Sequence, residues 1–134
     1  MSFLGNLGNC FAAGAFGGLA NALVAWIAGS SGITFVMHVS LSPVLTPAFV
    51  YQRMVWGGIW GLLFMLPLFE GSVLWRGFLY SLGPTLVQLL VVFPYVANEG
   101  LYGTGLGALT PLFVIIFNVA WGWAAAGWVT ASSR

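Results

Sequence analysis

Lysine and aspartate are absent from this 134-residue sequence, and charge of either sign is scarce. Arg53, Arg76 and Arg134 are the only arginines, and Glu70 and Glu99 the only carboxylate side chains. Charged residues make up 4% of the chain, against roughly 25% in soluble domains, so a fold built from it has no means of covering a surface that faces water. No basic run exists to hold phosphates, which excludes nucleic acid as a partner. Cys10 is the only cysteine, so there is no disulfide framework. Together with a single histidine, His38, it leaves a zinc site without ligands. Hydrolytic, acid–base and phosphate-loop chemistry likewise lack their residues. The reading is a protein that is not an enzyme and carries no cofactor or metal. His38 alone offers one axial nitrogen to a haem or chlorin, but nothing supplies a second ligand, and a surface histidine is the plainer reading.

What the chain does have is apolar length. It is 60% hydrophobic with a mean hydropathy of +1.02, and a helix needs ~20 apolar residues to cross the hydrocarbon. Four runs qualify, at about 7–27, 46–69, 73–93 and 110–129. The expected fold class is therefore an all-α integral membrane protein with four transmembrane helices, forming one membrane domain over 1–134. Its partners would be the lipid bilayer and either other membrane subunits or itself. No cation precedes the first run, and its length suits a retained span better than a cleaved signal. Residues 28–45 are expected to form an interfacial helix or folded loop, and the glycine-rich 94–109 a flexible one. Within the former, "ITFVMHVSLS" alternates apolar and polar residues, yet an exposed strand edge has no place in lipid.

The second and fourth runs open on Thr46-Pro47 and Thr110-Pro111, the pattern of a capped helix with proline at its first position. Between 45–50 and 109–114, "LTPAFV" and "LTPLFV", five of six positions are identical at an offset of 64, and Trp-Gly recurs at Trp56-Gly57 and Trp121-Gly122. Two helical hairpins related by an axis along the membrane normal would produce this pattern. The turn "FEGSVLW" makes the second and third spans antiparallel neighbours. Arginine bias mildly favours cytoplasmic N- and C-termini, in a bacterial inner membrane.

Small residues four apart let membrane helices approach closely. Gly14, Gly18 and Ala22 form one such stripe, Gly57 and Gly61 a second, and Gly122 and Ala126 a third. Five polar residues fall inside the spans: Asn21, Ser81, Thr85, Gln88 and Asn118. Each needs a partner there, and they serve either as a polar path or as contacts between helices. Arg53 lies seven residues into its helix, ~10 Å along the axis. It either snorkels to the headgroups, toward Glu99, or meets an anion or lipid phosphate. Glu70 and Arg76 flank a turn, where pairing or solvation is expected. Trp26, Trp75 and Trp128 suit interfacial belts, while Trp56 and Trp60 read as packing. These features point to an accessory or assembly subunit of a membrane complex or a self-associating bundle. The alternative is a small oligomeric channel or transporter for an ion or solute.

Overall fold

The computed structural model describes residues 2–132, whose regular structure is all helical, with no strand among them. The chain runs α1 (Phe3–Ser30), a single turn α2 (Ile33–Val36), α3 (Pro47–Gly61), α4 (Val73–Val87) and α5 (Thr110–Ser132). A 3-10 turn, Leu62–Met65, extends α3, and a π-helical stretch, Gln88–Val96, extends α4. Three helices are long and apolar enough to cross a membrane: Phe3–Ser30, Val73–Val96 and Thr110–Ser132. The run expected over 46–69 is shorter. Leu66 precedes Pro67 and takes up extended backbone, as a residue before proline must, so helix ends at Met65. Arg134, used in the charge-bias argument, lies outside the described residues.

The helices pack in the order α3, α1, α5, α4. Backbone contact sets the two outer pairings. A Cβ on Gly14 would run into the Gly57 carbonyl, and one on Gly18 into that of Arg53, so α1 and α3 touch only because both positions are glycine. At the other pairing Gly122 meets the Gly77 carbonyl in the same way. Ala22 and Ala126 are fully buried, so the three small-residue stripes all lie inside the bundle. Trp121 then ties the pairs together: its indole N–H is shared between the carbonyls of Gly14, at 3.1 Å, and Gly57, at 3.2 Å.

The two Thr-Pro helix starts lie at the same end of the bundle. Ser40 N–H donates to Leu106 O at 2.8 Å, joining the segments that lead into α3 and α5. At the far end Asn9 of α1 donates to Ser132 of α5 at 2.8 Å. The two starts are nevertheless built differently. Thr46 caps α3 by accepting from Phe49 N–H at 3.1 Å, whereas the Thr110 hydroxyl is fully buried and has no hydrogen-bond partner. The capping expected of Thr110 therefore fails, because the residue lies one position inside α5 rather than ahead of it.

Both connections at this end are folded. In residues 33–42 the two-residue alternation does not form a strand. Thr34 donates to Leu41 O at 2.8 Å and Val39 is buried, while Ile33, Phe35 and Val36 turn outward. The glycine-rich connection, expected to be flexible, is wound into successive turns with Gly100, Gly103 and Gly107 at positive φ. Gly107 lies against the His38 carbonyl, where a Cβ has no room. His38 itself is exposed, at φ 59°.

Candidate functional site

A cavity of about 360 Å³ opens sideways between α3 and α4, and its floor is the α1–α5 seam. One wall is Gln52, Arg53, Trp56 and Trp60 of α3; the other is Pro84 and Val87 of α4 with Gln88 and Val92 of the π-helical stretch. Gly18, Asn21, Asn118 and Trp121 form the floor. That volume lies within the range of small-molecule sites, ~300–1,000 Å³.

Across this floor runs one hydrogen-bonded chain drawn from all four long helices. Arg53 Nη1 donates to Asn21 Oδ1 at 3.1 Å. Asn21 Nδ2 donates to Asn118 Oδ1 at 3.1 Å and to Phe117 O at 3.0 Å. Asn118 Nδ2 donates to Thr85 Oγ1 at 3.0 Å and to Gln88 Oε1 at 3.2 Å. The sense of the chain follows from its first member. A guanidinium can only donate, so Asn21 must present its oxygen to Arg53, and each following amide is turned in consequence. Asn21 and Asn118 are buried, where an amide left unpaired in an apolar setting would cost ~1–3 kcal/mol.

Of the polar residues singled out in the sequence, Asn21, Thr85, Gln88 and Asn118 meet in this chain. Ser81 does not: its hydroxyl donates back to Phe78 O at 2.6 Å, and it packs against Gly122 at the α4–α5 crossing. Arg53 does not reach for Glu99. Its guanidinium lies over the Phe49 ring, 5.0 Å from the centroid, and donates to Asn21. The close α1–α3 approach at Gly18 brings these two side chains within reach. No carboxylate lines the cavity.

Trp56 and Trp60, read from the sequence as packing, both line the wall, and Trp60 also packs against the apolar cluster that holds Phe64 and Trp121. The role of Trp121 went unrecognised, although the repeated Trp-Gly pair was a signal for it. Arg76 is also placed differently from its sequence reading. It is buried and donates to three carbonyls in the turn before α4: Leu68 at 3.0 Å, Leu66 at 3.1 Å and Phe64 at 3.2 Å. The 3-10 turn and Pro67 leave those carbonyls without helical donors, which is why the guanidinium turns to them rather than to Glu70.

Among the described residues no group of three or more His, Cys, Asp or Glu side chains comes together to hold a metal. No protein-family model, no curated protein and no solved structure matches this chain.

Proposed function

We propose that this protein is a four-span integral membrane protein that binds a small ligand in the groove between α3 and α4, as a small transporter or membrane-embedded receptor would. The fourth crossing is α3 with its 3-10 extension. At ~1.5 Å per α-helical residue and ~2.0 Å per 3-10 residue these reach ~30 Å, the thickness of the hydrocarbon. Both termini would then lie on one side, the cytoplasmic side of a bacterial inner membrane by arginine bias.

One observation carries the reading: the cavity between these apolar helices has an arginine on its wall and no carboxylate among its lining residues. Intramembrane ionisable groups are expensive and mark functional pathways by default. A structural arginine spends its donors on backbone carbonyls, as Arg76 does on three, whereas Arg53 donates only to Asn21 and lines the cavity. Trp60 and Trp121 line the groove and also pack into the apolar cluster of Phe64, Tyr80 and Ala125, with no polar residue of the hydrogen-bonded chain continuing past them. That apolar end favours a binding site or carrier over an open water-filled pore.

The test is a thermal-unfolding panel of anions, neutral solutes and lipids in uncharged detergent, since a ligand at 100 times its Kd stabilises the native state by ~2.7 kcal/mol. Val87→Trp fills the groove without touching the polar chain and is the control. A midpoint rise in the parent that is lost in Val87→Trp supports the proposal. Equal behaviour of the two proteins across the whole panel sinks it.

A second reading is an accessory or assembly subunit. A shallow apolar depression on α1 and α3, lined by Phe11, Ala15, Tyr51, Met54 and Val55, suits packing against another membrane helix. A stoichiometric partner on purification in mild detergent, with no ligand-induced shift, would favour it.

A further inference from the structure

Building on the groove reading above, we infer the chemical class of the occupant. It is an anionic amphiphile, an oxyanion head on an apolar body taken from the surrounding bilayer, with its head between Arg53 of α3 and Gln88 of the π-helical stretch that continues α4.

The sign of the charge follows from the direction of the hydrogen-bond chain. Because Arg53 only donates, each acceptor along the floor is consumed from the same side: Asn21 Oδ1 by Arg53, Asn118 Oδ1 by Asn21, then Thr85 Oγ1 and Gln88 Oε1 by Asn118. What this chain leaves facing the cavity is donors, and Gln52, the other polar residue on the α3 wall, is a neutral amide that can turn its NH₂ group inward. Arg53 has five N–H groups and places one of them on Asn21. Gln88 has given its oxygen to Asn118, which leaves its NH₂ group as the free part of the amide. Both walls of the groove thus present N–H, one of them positively charged, and none of the lining residues is an acid. A cation would meet repulsion and no free side-chain carboxylate. An oxyanion would meet charge-assisted donors, the stronger kind of hydrogen bond.

The apolar body follows from the remaining lining. Trp56, Trp60, Pro84, Val87 and Val92 carry no charge, and the side between α3 and α4, where the cavity opens, would face lipid in a bilayer. Its 360 Å³ equals about a dozen water volumes, room for a head and the first carbons of a chain. The rest would leave sideways through the opening. Arg53, seven residues into α3, lies ~10 Å from the helix start, a depth that a lipid head reaches by being drawn inward along the groove.

The experiment is native mass spectrometry of the purified protein equilibrated with equal amounts of phosphatidylglycerol and phosphatidylcholine carrying identical chains, with and without millimolar inorganic phosphate. Circular dichroism of every variant checks that it has folded. The parent should retain phosphatidylglycerol about tenfold over phosphatidylcholine, ~1.4 kcal/mol, because both phosphates can accept from Arg53 but the choline ammonium brings a second positive charge to a groove without a carboxylate, and inorganic phosphate should not displace it. Arg53→Leu and Val87→Trp should each abolish the preference, and Arg53→Lys should keep part of it. If Arg53→Leu does not fold, Val87→Trp decides alone.

Equal retention of the two lipids by the parent overturns the inference, as does a preference that survives Val87→Trp. Displacement by inorganic phosphate, with the same dependence on Arg53, would make the ligand a free anion: the amphiphile is then wrong while the groove reading stands. If neither lipid nor phosphate is retained and no ligand shifts the unfolding midpoint, both fall together.

Discussion

Arg76 commits its guanidinium to the backbone, with Nε on Leu68 O and Nη2 on Phe64 O and Leu66 O, and lies 5.2 Å from the centroid of the Phe64 ring and 5.5 Å from that of Tyr80. Arg53, toward the other end of the bundle, donates once, to Asn21, and lines a cavity. Both residues sit within the first two turns of a helix in an apolar chain. The contrast lies in what the neighbouring backbone leaves free. Before α4 a 3-10 turn and Pro67 expose a cluster of carbonyls, and Arg76 closes them off. Around Arg53 the helices are regular and their carbonyls mostly occupied, so the guanidinium meets only a side-chain amide and open space. One arginine completes the fold, and the other is left with unused donors.

The largest effect should come from removing Arg76. Arg76→Leu takes the guanidinium donor from three carbonyls beside a buried ring pair: Leu66 O and Leu68 O keep the Tyr80 hydroxyl, at 2.8 Å and 3.4 Å, while Phe64 O loses its charged donor beneath the ring. A loss of ~3 kcal/mol is expected, from hydrogen bonds made by a charged group at ~1.5–3 kcal/mol each, partly recovered by relaxation. Denaturant titration in mixed micelles measures it. Arg76→Lys should recover little, because an ammonium cannot match the planar fork. A variant as stable as the parent would remove the distinction between the two arginines.

How far this was legible in the sequence differs between the two sites. Hydropathy located the three helices long enough to span a membrane and the start of the shorter α3, and glycine spacing located the backbone crossings, because both are local patterns. The amides at 21, 85, 88 and 118 stood out for the same reason: polar residues inside apolar runs are visible one at a time. Their connection was not, since nothing in a linear chain says that α1 and α5 pack at the centre while α3 and α4 flank an opening. Arg76 was misread because its acceptors arise from a 3-10 turn, and hydropathy does not distinguish a 3-10 turn from the end of an α-helix. Thr110 was misread through likeness to Thr46: six residues of similarity imply equivalent caps, but the glycine-rich turns before α5 shift its start by one position.

Asn118→Leu should rank second. It cuts the chain at its midpoint, freeing Gln88 Oε1 and Thr85 Oγ1 and leaving Asn21 with Phe117 O as its only acceptor. With interhelical hydrogen bonds in membranes averaging ~0.6 kcal/mol and reaching ~1.7, a loss of ~1–2 kcal/mol is expected. The same substitution unfixes the amide orientation of Gln88, so anion affinity should fall with stability. Intact affinity in a destabilised Asn118→Leu protein would mean that the donors of Arg53 act alone.

Arg53→Leu should cost less than ~1 kcal/mol, because one hydrogen bond is lost and the leucine still packs beside Phe49. Ligand retention, by contrast, should disappear. This dissociation of stability from binding sharpens the comparison most, since Arg76→Leu is expected to show the reverse. A destabilisation by Arg53→Leu as large as that of Arg76→Leu would make Arg53 a second structural clamp.

The smallest effect should be that of Glu70→Gln. Glu70 is exposed in the turn before α4, close in sequence to Arg76, and an ion pair between them is the natural first guess. If that pair held the turn, neutralising the carboxylate would lower the unfolding midpoint, and the loss would shrink in high salt as exposed pairs do. The geometry argues otherwise. Arg76 Nε and Nη2 already face Leu68, Leu66 and Phe64, and the guanidinium lies within 5.5 Å of two ring centroids, so turning it to a solvated carboxylate would give up three carbonyl contacts for one screened attraction. Glu70→Gln should therefore leave the midpoint unchanged at both low and high salt. A salt-sensitive drop would show that the clamp on the turn is electrostatic, and that Arg76 depends on an acid in the way Arg53 does not.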